Sequence, residues 1–317
     1  MKTLIKHPVV TTFIDILSIP FSFLSAIWLK FISIMIRFLP VNRKIFSTVG
    51  VFPVRDHYYQ PLINPLKHLK RSLREERFLP GIDFNTSEQL AILKKFNYTT
   101  ELDKFPLEKE RDLEYFFNNG TFLAGDSEYL YNIIRLKKPA TFIEIGSGLS
   151  TLMAQSAIQK NDNCCRHICI EPYEAPWINQ LPVELIRKKL EDIDHDIFKL
   201  LKKNDILFID SSHIIRPQGD VLLEYLQVLP QLNKGVFIHV HDIFTPRDYL
   251  DDFIFKYHYL WNEQYLLEAL LTNTSHFKII GALNFLKHNF FEELTEKCPT
   301  LKQLPSVEPG SFWMEKI

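Results

Sequence analysis

An α/β architecture, a doubly wound parallel sheet preceded by an apolar helical segment, is what this sequence predicts. Three observations point there. Short apolar runs recur between residues 141 and 240, and stretches of helical character separate them. Each run gives way to glycine or to a charged residue, as strands do when their carboxyl ends meet a ligand. Residues 8–39 form an apolar stretch of another kind, long and nearly free of charge.

The elements follow in chain order. Pro8 to Leu29 is long enough to cross a bilayer core, which takes about 20 residues. Its polar residues Thr11, Asp15, Ser18, Ser22 and Ser25 recur at helical spacing, and the stripe continues through Lys30, Ser33 and Arg37. A wide apolar face beside one narrow polar stripe suits the plane of a membrane interface more than a span, with a kink at Pro20. A spanning anchor, a cleaved signal peptide and a hairpin packed on the protein's own domain are the alternatives. Lys2 and Lys6 resemble a signal n-region, but no small-x-small cleavage site follows. In a span, Lys30, Arg37, Arg43 and Lys44 would hold the larger portion in the cytosol. The expectation is a cytoplasmic protein associated with a membrane through residues 8–39.

Residues 1–45 thus form the apolar segment, and residues 46–125, punctuated by Pro53, Pro61, Pro65 and Pro80, read as a connector or cap. The main domain spans residues 126–317. Asp126-Ser127-Glu128 caps a helix that Pro139 stops. Strands are expected at residues 141–145, 167–170, 183–186, 205–209 and 235–240, with helices from Ser150 and over Val221 to Leu229 between them. Right-handed crossovers then give a parallel sheet covered on both faces. Two late strands follow at residues 277–280 and 312–315.

Composition narrows the partners. Lys and Arg total 37 against 38 Asp and Glu, a net charge of -1, so no field draws in polyanions and nucleic acid is not an expected partner. The 26 Phe and 12 Tyr are spread along the chain as core and membrane contact. Cys164, Cys165, Cys169 and Cys298 fit neither a disulfide framework nor a zinc knuckle, and read as reduced thiols.

The residues after the strands carry the functional signal. Gly146-Ser147-Gly148 makes a turn tight enough to bring backbone N–H groups against a ligand, beside a helix N-terminus. Glu171 ends the next strand, where a carboxylate accepts hydrogen bonds from both ribose hydroxyls of a nucleoside. Dinucleotide dehydrogenases share this pair, but a pyrophosphate site wants a third glycine where Ser150-Thr151 stands.

The segments Ile143-Glu144-Ile145-Gly146-Ser147-Gly148-Leu149-Ser150-Thr151 and Ile170-Glu171-Pro172-Tyr173 resemble the first two motifs of class I S-adenosylmethionine-dependent methyltransferases. With Asp205 to His213, His239 to Phe244, Trp261 to Tyr265 and Ser311 to Met314, the chain is similar from Asp126 onward to a bacterial branch grouped as methyltransferase family 24. The resemblance implies a Rossmann-like, seven-stranded sheet with a reversed last strand. It implies S-adenosyl-L-methionine as cofactor, contacted by Glu144, Gly146, Ser147, Gly148, Ser150, Thr151, Glu171 and Asp210.

Methyl transfer to oxygen needs an acceptor held in line with the methyl group and stripped of its proton. Asp210 and Asp242 end neighbouring strands, which lie about 4.8 Å apart, so both carboxylates can reach one hard cation, and His213 is placed to take the proton. Catechol-type O-methyltransferases have metal-binding acids and a base at such positions, which implies Asp210 and Asp242 as ligands of Mg2+ and His213 as base. Ile243 stands where those enzymes carry a further acid or amide, and His241 is the substitute donor at hand, although magnesium prefers oxygen. Without a metal, Asp242 orients His213 or His241. His239 reads as a hydrogen-bonded core residue. Glu263, Gln264 and Tyr265 read either as acceptor pocket or as a solvated helix face.

The expected activity is O-methylation of a small-molecule, glycan or lipid-linked hydroxyl. A non-catalytic binding protein of the same fold and an NAD-dependent oxidoreductase are the alternatives.

Overall fold

The computed structural model describes residues 8–317, so the signal-like Lys2 and Lys6 lie outside the described residues. The chain divides into two compact units, with the boundary between Arg71 and Ser72.

In the first unit, helix Pro8–Met35 runs 28 residues and continues through Pro20. A short turn Ile36–Phe38 leads to helix Pro40–Val49, which Pro40 opens at its first position and Gly50 closes in the left-handed region at φ 78°. Thr12, Ser18 and Ser33 donate their hydroxyls to the carbonyls of Pro8, Asp15 and Lys30 at 2.9, 2.8 and 2.7 Å, so these groups are satisfied without water. Phe13, Phe21, Phe23, Leu24 and Trp28 are all more than half exposed. The stretch Pro8–Phe38 is long and apolar enough to cross a membrane.

The second unit is built on one sheet of seven strands in the order β3-β2-β1-β4-β5-β7-β6. The strands are β1 Thr141–Ile145, β2 Arg166–Ile170, β3 Glu184–Ile186, β4 Ile206–Ile209, β5 Phe237–Val240, β6 Phe277–Ala282 and β7 Phe312–Lys316. β1 to β5 pair in parallel, while β7 runs antiparallel to both β5 and β6. This is the expected α/β fold with its last strand reversed, and that strand lies inside the sheet.

Side chains alternate between two cores. Phe142, Phe208, Phe237 and Trp313 face one layer, and Ile143, Ile145, Leu207, Ile209, Ile238 and Val240 face the other. Burial on both faces explains why these strands read as continuous apolar runs. Part of the segment expected as a connector belongs to the first layer, where Phe96, Leu102, Tyr115, Phe117 and Phe122 pack. The expected boundary at residue 126 therefore falls inside a compact unit that begins at Ser72.

Two helices matter for the site, and one of them departs from expectation. The stretch expected as one helix from Val221 is broken into Asp220–Leu223, a π-helical turn Glu224–Val228, and Leu229–Gln231. Glu224, at the start of that turn, is fully buried, and Ser211 donates its hydroxyl to it at 3.2 Å. Helix Asp126–Lys137 starts where its cap residues predict. There Glu128 accepts backbone N–H groups from Gly125, Thr300 and Leu301, and Asp126 accepts those of Gly310 and Ser311, so this helix start anchors the approach to β7.

Burial pushes the Glu128 carboxyl up to about 7, although the three N–H donors favour its charge. An acid raised in the folded state contributes stability that is complete below its ordinary value of 4.5 and fades as the pH climbs through about 7. Wild type is therefore expected to lose about 3 kcal/mol relative to Glu128→Gln between about pH 5 and about pH 8. Urea unfolding of both proteins at the two pH values measures the difference.

Candidate active site

Strand order reverses between β1 and β4, and there the hydrogen-bond ladder runs one residue past the strands. Gly146 donates its N–H to Ile170 at 3.0 Å, Asp210 to Ile145 at 2.9 Å, and His241 to Ile209 at 2.9 Å. Glu171 continues the row by donating to Ile186 at 3.0 Å. Four residues that follow four different strands are thereby held abreast at the crevice where open α/β sheets bind ligands.

A cavity of about 340 Å³ opens over this row, lined by Gly146, Glu171, Tyr173, Asp210, Ser212 and Asp220 among others. Gly146 has φ 85°, and a Cβ there would stand 2.2 Å from the Asp210 carbonyl oxygen, so glycine is required on both counts. Ser147 donates its N–H to Glu171 Oε2 at 3.2 Å, and Tyr173 donates its own to Oε1 at 2.7 Å. These two bonds fix the Glu171 carboxylate in the cavity wall. The Ser147 hydroxyl oxygen is buried and has no protein partner. On the far side Asp220 accepts the Ser212 N–H at 3.1 Å and its hydroxyl at 2.6 Å, and Arg216 stands 3.8 Å from Asp220.

Three residues expected at the cofactor lie behind the turn instead. Glu144 is fully buried and accepts the hydroxyls of Ser150 at 2.5 Å and Thr151 at 2.7 Å, while His167 Nε2 stands 3.2 Å away. Thr151 in turn accepts the N–H of Gly148 at 3.0 Å. Glu144, Ser150 and Thr151 thus brace the turn and contribute no side chain to the cavity wall. The reason is strand alternation: Glu144 points to the layer opposite Ile143 and Ile145.

Beyond Asp210 lies a second group of polar side chains. His213 Nε2 is 3.3 Å from Asp210 Oδ1 and 3.7 Å from Asp242 Oδ2, and His213 Nδ1 is 2.9 Å from Glu263 Oε2. His241 Nδ1 is 3.5 Å from Asp210 and 3.7 Å from Asp242, with its Nε2 3.6 Å from Asp126. Asp210, His213 and Asp242, expected together, are brought together. His213 and Asp242 hold left-handed backbones, at φ 59° and 54°, an uncommon conformation for such residues and one that recurs at functional sites.

The charges in this group compensate one another. Burial opposes the Asp210 charge, but His241 and His213 hold its carboxyl well below the usual carboxylate range. Both imidazoles are pushed up against the cost of burial, His213 by Asp210 and Glu263 and His241 by Asp242 and Asp210. Burial raises Asp242, and it raises Glu224 strongly, with Glu263 and Asp220 adding to the effect. His239 is the core residue expected: it stacks on Phe208 with ring centres 4.0 Å apart, pairs with the Ser311 hydroxyl at 2.8 Å, and is held neutral by burial.

The model of a methyltransferase domain matches residues 143–243. An uncharacterised protein of the archaeon Archaeoglobus fulgidus is 31% identical over 170 residues, covering 49% of this chain and 76% of the relative. The chain belongs to the methyltransferase-domain family. That relative is archaeal, so the resemblance is not confined to bacteria. Among solved structures, an SAH-bound methyltransferase of Podospora anserina is 14% identical, with a TM-score of 0.32 over 74% of this chain and 88% of that one. An O-methyltransferase of Bacillus cereus in complex with SAH is 11% identical, with a TM-score of 0.36 over 80% and 95%. Likeness this loose transfers no residue roles.

Within this methyltransferase domain, several site residues escaped sequence reasoning. Asp126 was legible only as a helix cap, and Asp220 and Glu224 carried no motif. Of the three residues expected at the start of helix Glu263–Leu271, Glu263 meets His213. Gln264 is buried and accepts the N–H of Phe244 at 2.7 Å, while the Tyr265 hydroxyl donates to Asp248 at 2.9 Å near the surface. Trp261 packs its ring 4.4 Å from that of His213.

Gly146→Ala adds a Cβ against the Asp210 carbonyl in a left-handed backbone. It is expected to destabilise the domain by about 3 kcal/mol, measured by urea unfolding, whereas Ser147→Ala in the same turn changes stability by less than about 1 kcal/mol.

Proposed function

We propose that this methyltransferase uses S-adenosylmethionine to methylate a hydroxyl group on a small-molecule, glycan or lipid-linked acceptor. The carrying observation is the cavity at the strand reversal, with the Gly146 turn on one side and the fixed Glu171 carboxylate on the other. Its volume of about 340 Å³ lies in the range of small-ligand sites. Each Glu171 oxygen carries one backbone N–H and keeps a lone pair for a ribose hydroxyl. A dinucleotide fits less well, because Thr151 occupies the position where the pyrophosphate fingerprint has its third glycine, and it is locked onto Glu144.

His213 is the base in this reading. Glu263 engages its Nδ1, so its Nε2 faces the space beside Asp210 and Asp242. Because Asp210 and Glu263 raise its proton affinity, His213 becomes a base only as the pH climbs; its neutral Nε2 then takes the acceptor hydroxyl's proton as oxygen attacks the methyl carbon and the sulfonium leaves as a neutral thioether. Asp210, Asp242 and His241 offer one ligand atom each to a divalent ion, all within 4.8 Å of one another. An ion there would lower the acceptor's hydroxyl pKa and hold its oxygen. The three donors fit a cation, but one of them is nitrogen.

The apolar amino-terminal helix supports a membrane location, and hence an amphiphilic acceptor. A helix exposing Phe13, Phe21, Leu24 and Trp28 buries that surface in lipid at a gain of roughly 25 cal/mol per Å².

Two measurements test these readings. Calorimetric titration of the full chain with S-adenosylhomocysteine is expected to give one site, with affinity about 100-fold weaker in Glu171→Ala and no comparable affinity for NAD. Equal binding by wild type and variant, or a preference for NAD, removes the assignment. In a flotation assay the full chain is expected to rise with lipid vesicles and Leu17→Asp/Leu24→Asp to stay below; if both stay below, the membrane reading fails.

A further inference from the structure

We propose that Asp210, Asp242 and His241 form a site selective for a first-row transition ion, of the manganese-to-zinc class, over magnesium, and that His241 is the ligand that sets this preference. The identity of the ion deepens the methyltransferase reading and rests on it for its use, but its binding stands on the geometry of three side chains.

The donors converge from two adjacent strand ends. His241 Nδ1 lies 3.5 Å from Asp210 Oδ1 and 3.7 Å from Asp242 Oδ2. Ligands bound about 2.1 Å from a common ion stand roughly 3 to 3.5 Å apart, so small side-chain adjustments close the triad on one. His241 is also oriented as a metal-binding histidine is. Its remote nitrogen, Nε2, stands 3.6 Å from the carboxylate of Asp126, which the N–H groups of Gly310 and Ser311 hold in place at 3.1 and 2.7 Å. A carboxylate behind the imidazole fixes which nitrogen carries the proton and turns the other toward the ion. The ring has little room to turn away, since Phe122 and His239 stand 5.3 and 5.8 Å from it, centre to centre.

Entry is open because Asp210 lines the cavity and keeps 36% of its side chain exposed. The chemistry of the donors then decides the ion. Magnesium takes oxygen ligands and gives up water reluctantly, whereas an imidazole beside two carboxylates suits manganese, iron or zinc, with affinity rising toward zinc. His213 Nε2 stands 3.3 and 3.7 Å from the two carboxylates and is not one of the three ligands. A second trio, Glu144, His167 and Cys169, also brings three donors together, but it is closed: Ser150 and Thr151 already fill the carboxylate and all three residues are buried.

The test uses the full chain stripped of metal by chelation. Titration with Mg2+, Mn2+ and Zn2+ separately is expected to give one site whose affinity rises in that order, with Mn2+ at least about tenfold tighter than Mg2+. Electron spin echo spectroscopy of the Mn2+ complex is expected to detect one directly bound imidazole nitrogen. His241→Asn should lose that nitrogen signal and narrow the preference over Mg2+, and Asp126→Asn should weaken Mn2+ by about 10- to 100-fold. Equal affinity for Mg2+ and Mn2+, the absence of a bound nitrogen in wild type, or zinc binding undiminished in His241→Asn overturns the proposal. The wild-type measurements decide even if a variant fails to fold. S-adenosylhomocysteine titration of the same samples reports separately on the methyltransferase reading.

Discussion

The organisation of the crevice depends on one constraint, the continuation of the parallel ladder past the ends of β1, β4 and β5. Because Gly146, Asp210 and His241 each donate a backbone N–H to the preceding strand in the row, their Cα positions are set by the sheet and not by loops. Neighbouring parallel strands lie about 4.8 Å apart, so side chains at those positions are forced into one another's company. Like charges so close would repel, and the group avoids this by mixing two histidines among Asp210, Asp242, Glu263 and Asp126. Removing one histidine would leave buried carboxylates without compensation, which is costly away from solvent.

Much of this was legible in the sequence because it follows from local pattern. Apolar runs closed by glycine or charge located all seven strands to within about two residues, and the polar residues after them pointed to Gly146, Glu171, Asp210, His213 and Asp242. What failed was side-chain direction. Glu144 sits one residue from the site in sequence yet faces the opposite layer, and Ser150 and Thr151 turn back to meet it. A motif records that such residues belong together without telling whether they touch a ligand or brace the loop that does.

Residues that reach the site from distant segments were illegible for a different reason. Asp126 approaches His241 across 115 positions of chain, and Glu263 approaches His213 across 50; their own neighbourhoods advertise only helix starts. Residues 72–125 posed the same difficulty on a larger scale. Pro80 and weak periodicity suggested a connector, whereas Tyr115, Phe117 and Phe122 are core residues held by tertiary packing.

The position of β7 carries a consequence for how the domain is completed. It fills the gap between β5 and β6, and among the described residues β6 pairs with no other strand. During synthesis the amino-terminal helix and strands β1 to β5 emerge early, and β6 can meet Asn85, Gln89 and Tyr129, but it has no strand to pair with until residues 312–316 leave the ribosome. The same final segment brings the Gly310 and Ser311 amides to Asp126, so the carboxylate behind His241 settles last. A chain interrupted just short of β7 would carry every motif of the crevice and still lack the clasp that closes it.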